Sequence, residues 1–192
     1  MLITGFDTET TGLDWEKDGH RIIEVALLTY DAETEKLVDS YVQRINPHRA
    51  IDPGAEAVHH ISISDLIGEP AMKDVAPTIL EKMEASDLIV AHNMGFDGPF
   101  MAAELLNSGL EPPATLGFCT KENARWATPD GKYPKLGELC FALGVAYEPA
   151  KAHSASYDVE VMMACFFRAY KRGFFDPANA KRLSAFKNAY GT

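Results

Sequence analysis

Asp7 and Glu9 stand two positions apart in GFDTETTGLD, residues 5–14. Apolar and β-compatible residues, Leu2 to Phe6, precede them and a Thr-Thr-Gly break follows, so the pair belongs to a strand. Residues i and i+2 of a strand point the same way, which puts both carboxylates on one side. Neighbouring anions repel, and burial makes each harder to ionise. A divalent cation between them relieves this, as does a proton on one of them; the alternative is an exposed strand end with two solvated acids. Two further stretches offer related chemistry. IVAHNMGFDGPFM, residues 89–101, sets Asp97 just past a strand in the first turn of a helix. There an acid is a ligand or simply a partner of the helix dipole, and Asn93 reads equally as a turn residue. KAHSASYDVEVMM, residues 151–163, puts His153 on a loop and Asp158 early in the following helix. An acid beside the apolar face of Val159, Met162 and Met163 points to solvent or enters a polar site. A loop histidine is placed for proton transfer, or is a surface residue.

Periodicity outlines the elements that must position these groups. Residues 2–7 read as a first strand, and 20–31 and 36–46 as two more joined in a hairpin through AETE. Residues 47–64 read as loop and short turn, with Ser62 or Ser64 as an N-cap. The stretch 73–84 places Val75, Ile79, Leu80 and Met83 on one helical face. A short buried strand over 87–93 leads into a helix over 96–108 that stops at Gly109, ahead of Pro112 and Pro113. A last strand is expected at 115–119, a short helix at 135–143, and a longer one at 155–171 with Val159, Met162, Met163, Phe166 and Tyr170 facing the core. A strand meander followed by alternating strands and helices implies a three-layer α/β domain around a mixed sheet. Ligands of such sheets gather at the carboxyl ends of strands, where Asp7 and Glu9 lie.

The bulk composition bounds the rest. A chain of 192 residues that is 46% hydrophobic suits one domain with a sizeable core. No apolar run approaches the roughly 18 residues that span a membrane, and acids at positions 7 and 9 interrupt any signal peptide. Cys119, Cys140 and Cys165 form no CxxC pair and read as reduced thiols in a cytoplasmic protein. The formal net charge of −10 alone argues against a nucleic-acid partner. Its distribution qualifies this, because from Arg168 onward Arg168, Lys171, Arg172, Lys181, Arg182 and Lys187 oppose one acid, Asp176. A basic tail behind an acidic body can steer a phosphate backbone; the plainer reading is a solvated C-terminal helix.

FDTETTGL on the first strand, the AHNxxFDxxF pattern at residues 91–100, and the HxAxxD pattern at 153–158 occur in that order. Together with RIIEVALL, VHHIS, LGELCFALGV and DVEVMMACFF, they resemble the DnaQ-like 3′–5′ exonucleases, the histidine-bearing (DEDDh) branch of the DEDD nucleases. The resemblance runs from about Leu2 to Tyr170, and CTKENARWATPDGKYPKLGELC looks most like exonuclease X and its relatives. It implies an RNase H-like three-layer fold with a mixed five-stranded sheet flanked by helices. The nuclease domain would fill residues 1–172, with a basic C-terminal extension over 173–192 packed on or trailing it. By resemblance, Asp7 bridges two Mg²⁺ or Mn²⁺ ions, Glu9 and Asp158 complete the first metal site, and Asp97 supports the second through water. His153 is the general base, and 5′ mononucleotides are the product. The backbone at Thr10, Thr11 and Gly12, with His59, Asn93 and Phe96, would contact the nucleic-acid 3′ end, single-stranded DNA above all. No membrane partner is implied, and no protein partner is legible. Two departures stand out: Cys119-Thr120 where many members have Asp-Thr, and His60 where many have Gly. Alternatives are a polymerase proofreading subunit, made less favoured by Gln43 being the sole glutamine, an RNA-trimming enzyme, or a silent binding module, against which the full set of acids and histidine weighs.

Overall fold

The computed structural model describes residues 1–186. A hairpin of long strands opens the chain: β1 (Leu2–Thr10), β2 (Ile22–Asp31) and β3 (Leu37–Arg44). There follow α1 (Pro53–His59), α2 (Met72–Glu84), β4 (Leu88–Ala91), α3 (Met94–Asn107), β5 (Leu116–Cys119), α4 (Leu136–Leu143), α5 (Ala155–Lys171) and the two-residue β6 (Lys181–Arg182). The strands lie in the order β3-β2-β1-β4-β5-β6. β1 pairs antiparallel with β2 and parallel with β4, and β5 runs parallel to β4.

Strand alternation splits the core in two. Ile3, Leu28, Val90 and Phe118 pack beneath α4 and α5, against Val159, Met162, Met163 and Phe166. Phe6, Leu27 and Ile89 face the other way, under α2 and α3, against Ile79, Met83, Phe100 and Leu105. Each such fully buried side chain is worth roughly 1.5–3 kcal/mol relative to exposure. Among the described residues no helix is long and apolar enough to cross a membrane. All three cysteines are free and buried.

Three expectations need correction. The mixed sheet has six strands, not five, because Lys181 and Arg182 pair antiparallel with Gly117 and Leu116. The described part of the extension thus packs on the domain, with Leu183 and Phe186 buried in the α2–α3 core. Residues 53–59, read as loop, form α1, started by Pro53 and ended by His60 in the left-handed conformation (φ 59°). Finally, Tyr170 is 54% exposed, because it lies in the last turn of α5 and points off the core face. Ser62 does cap the short 3₁₀ turn that follows, its hydroxyl and amide both bonding Asp65 Oδ2 (2.6 and 2.8 Å). Lys187 lies outside the described residues.

Candidate active site

β1 continues to Thr10, so Asp7 and Glu9 sit within the strand and share the face of Ile3 and Gly5. Gly5 explains what else reaches that face. A Cβ there would lie 2.5 Å from a Val159 methyl and 2.7 Å from Met163 Cγ, so only glycine lets α5 cross this closely. The approach delivers Asp158, one residue before Val159, to the strand acids. Ligand oxygens of Asp7, Glu9 and Asp158 all lie within 4.8 Å of one another. Asp158 Oδ2 accepts the His153 amide (2.9 Å), while its Oδ1 is buried without a hydrogen-bond partner.

Asp97 arrives from the opposite layer. It is 3% exposed in the first turn of α3, and its Oδ1 accepts both the amide (3.1 Å) and the hydroxyl (2.7 Å) of Thr8. It therefore stands beside Asp7 but outside the group of three whose oxygens converge. The turn before it is strained: Asn93 has φ 136°, and its Oδ1 is buried and unpartnered. Such backbone strain costs of order 1–3 kcal/mol and persists where surrounding structure enforces it. Here His92 supplies an anchor, its Nδ1 2.9 Å from Thr120 Oγ1 and its Nε2 3.1 Å from the Pro134 carbonyl. His153 is exposed, at φ 64° in the loop that enters α5.

Beside Glu9 opens a largely apolar cleft of about 510 Å³. Its walls include Gly12, Leu13, Pro53, Val58, His59 and Phe96. His59 Nδ1 accepts the Ile61 amide (3.0 Å), which leaves the proton on Nε2, buried without a partner. Burial also lowers the His59 pKa. The turn after β1 holds the near wall in place. Thr10 Oγ1 donates to the Gly12 carbonyl (2.7 Å), and the His20 ring lies so close over Gly12 that a Cβ there would overlap it. His20 Nδ1 is 3.0 Å from Thr11 Oγ1 and its Nε2 3.5 Å from Asp52 Oδ2, at the start of α1. Arg21 completes the brace with two 2.7 Å bonds to buried Glu104 of α3. Thr10, Gly12, His59 and Phe96 thus line the cleft, whereas Thr11 is fully buried behind it and Asn93 lies outside its lining.

The electrostatics follow from burial. Burial, then the charges of Asp97, Glu9 and Asp158, hold the Asp7 carboxyl well above the usual carboxylate range. Burial, with Asp158 and Glu24 next, pushes Glu9 up to about 9. Asp97 rises to about 7, burial outweighing the Thr8 hydrogen bonds that hold it down. Asp158 is raised by burial and restrained by the His153 amide. Converging oxygens, one of them orphaned, and carboxyls that cannot all ionise together suit a hard divalent cation bound through oxygen.

The basic segment fares differently. Lys181 pairs with Glu122 (2.9 Å) and Lys171 with Glu35 (2.7 Å), and Arg168 donates to the carbonyls of Leu143 and Gly144. The residues that sequence reasoning missed act across strands and loops: Thr8 on Asp97, His20 on Gly12, and Glu24 opposite Glu9. Only the glycine in Thr-Thr-Gly gave a local signal for any of them.

An acid-lined strand end on a mixed sheet, crossed by a helix that brings a further carboxylate, defines a nuclease-type domain. The exonuclease family model (RNase T) matches residues 4–166, and the chain belongs to that family. It is 32% identical over 168 residues to the DNA polymerase III subunit epsilon of Treponema pallidum, covering 86% of this chain and 75% of that one. It spans 62–66% of the length of further epsilon subunits that it matches. Among solved structures, exonuclease X in complex with 5′ overhanging duplex DNA is 26% identical, with a TM-score of 0.64 over 89% of this chain and 93% of that one. Escherichia coli exonuclease I with a dA16 oligonucleotide shares the fold at 19% identity, with a TM-score of 0.76 over 91% of this chain and 42% of that one.

Proposed function

We propose that the protein hydrolyses DNA from the 3′ end, in the 3′–5′ direction, to release 5′ mononucleotides with two divalent cations. One observation carries this reading: three carboxylates converge, with a buried unpartnered Asp158 oxygen, beside a largely apolar cleft of about 510 Å³. Asp7, Glu9 and Asp158 would hold the first ion, and Asp7 with Asp97 the second, Asp97 through water because Thr8 occupies its Oδ1. Two Mg²⁺ or Mn²⁺ ions, when bound, neutralise phosphoryl charge and acidify water. Exposed His153, beside Asp158, takes the proton of the attacking water. Phe96, Val58 and Leu13 hold the terminal sugar and base by apolar contact with little base preference. His59, in the wall of that cleft, would contact the same nucleotide. Cytoplasmic location is part of the same proposal, consistent with three free thiols.

Digestion of 3′- and 5′-labelled DNA and RNA oligonucleotides with Mg²⁺, Mn²⁺ or EDTA tests it. Mononucleotides released from the 3′ label of DNA, and silence in EDTA, are expected. Activity in EDTA, or release from the 5′ end first, would refute it. Similarity to epsilon subunits favours a second reading, trimming of mismatched 3′ ends beside a polymerase. Faster removal of a mismatched than a matched primer nucleotide would support that role, and equal rates would count against it.

A further inference from the structure

One transverse row of the sheet carries Arg44, Glu24 and Glu9 side by side. Glu9 is the antiparallel partner of Glu24, and Glu24 that of Arg44. Like charges directly opposite one another destabilise a sheet, and Glu24 is only 7% exposed, so the pairing with Glu9 gives the fold no advantage. Arg44 holds Glu24 from the partly exposed edge strand, its Nε donating to Glu24 Oε2 at 3.1 Å. Ala26, two residues along β2, packs on the α5 side of the sheet, so Glu24 occupies the face of Asp7 and Glu9. Its negative potential reaches both of them.

We propose that Glu24 is a positioning residue of the active site: pinned by Arg44, it drives the Glu9 carboxylate toward Asp7 and Asp158 and adds a fifth negative charge that draws in the cations without ligating them. Arg44 has a second part in this, because an unpinned Glu24 would be free to swing in and become a ligand itself. The inference rests on the reading of Asp7, Glu9 and Asp158 as a divalent-cation site.

Calorimetric Mn²⁺ titration of the full chain tests it, with turnover at saturating Mn²⁺ as a second readout. Glu24→Gln keeps the size and the Arg44 hydrogen bond but loses the charge, and should weaken Mn²⁺ binding on the order of tenfold. Glu24→Asp restores the charge and should restore affinity. Arg44→Met should tighten Mn²⁺ binding while slowing maximal turnover, since the released Glu24 intrudes among the ligands. In a Glu24→Gln background, Arg44→Met should add nothing. Unchanged affinity in a folded Glu24→Gln protein would overturn the inference, as would an Arg44→Met effect that persists without the Glu24 charge. A parent protein that binds no Mn²⁺ at all would instead overturn the underlying metal-site reading.

Discussion

The strand-end acids and the C-terminal basic segment are the two charged features that stand out in the sequence, and the fold treats them oppositely. Asp7, Glu9 and Asp158 are drawn into partial burial against one another, with Asp158 Oδ1 left unpartnered. Lys171, Lys181 and Arg168 are satisfied by the domain itself, through Glu35, Glu122 and the carbonyls that end α4. Burying carboxylates together is unfavourable, so the arrangement is explicable by what it binds. Pairing surface lysines with nearby acids needs no ligand to explain it. Charge that the fold leaves unsatisfied marks the site more reliably than charge that is merely abundant.

The sharpest way to break this contrast is to remove a cradle acid. Asp7→Ala should lower the exonuclease rate by orders of magnitude, because it deletes the carboxylate nearest all the others, while the metal-free fold becomes no less stable. Melting curves beside rate measurements check both halves. Near-parental activity with saturating Mn²⁺ would put the site elsewhere. Next in size, His153→Ala should lower the maximal rate roughly 10²–10⁴-fold, the usual cost of a lost general base. Its Mn²⁺ affinity, read by calorimetry, should stay near the parent's. A collapse of affinity comparable to that of Asp7→Ala would make His153 a ligand.

How much of this was legible beforehand depended on range along the chain. The two-residue spacing of Asp7 and Glu9 fixes their shared face wherever a strand forms. Gly5, Val159 and Met163 were visible as residues, but their close approach joins positions more than 150 apart, which no local pattern reports. The register that sets Glu24 opposite Glu9 is likewise a property of the assembled sheet. Helix α1 escaped because DPGAEAVHH is short, opens with Pro-Gly and lacks an apolar period. β6 escaped because two residues become a strand only against β5. The pairing of distant motifs into one site came from family resemblance, and the structure supplied the contacts that hold it.

A subtler effect concerns pH. Glu9 at about 9 and Asp97 at about 7 retain protons in the folded, metal-free state that the unfolded chain releases near the ordinary carboxylate values of 4.5 and 3.8. Their contribution to stability is complete below those ordinary values and is lost as pH rises through 7 and then 9. The melting temperature of metal-free protein should therefore decline across this window, and Glu9→Gln should flatten the decline. A profile that climbs throughout, or one that Glu9→Gln leaves unaltered, would contradict the electrostatic account.

The smallest effect is expected at the basic segment. Lys181→Ala breaks a partly exposed ion pair and should shift stability by about 1 kcal/mol at most. With Lys181 committed to Glu122, the double change Lys181→Ala/Arg182→Ala should leave the apparent KM and its salt dependence close to the parent's. A salt slope reduced by about one or two would return this segment to the nucleic-acid interface and erase the contrast.

The most direct test of the central claim uses no nucleic acid. Parent and Asp158→Asn proteins are titrated with Mn²⁺ near pH 8 and followed by melting temperature. If the converging acids, with the unpartnered Asp158 oxygen among them, exist to hold cations, Mn²⁺ raises the parent's melting temperature in a saturable way, and Asp158→Asn raises the starting value while losing most of the response. Equal responses in the two proteins, or none in the parent, would contradict it.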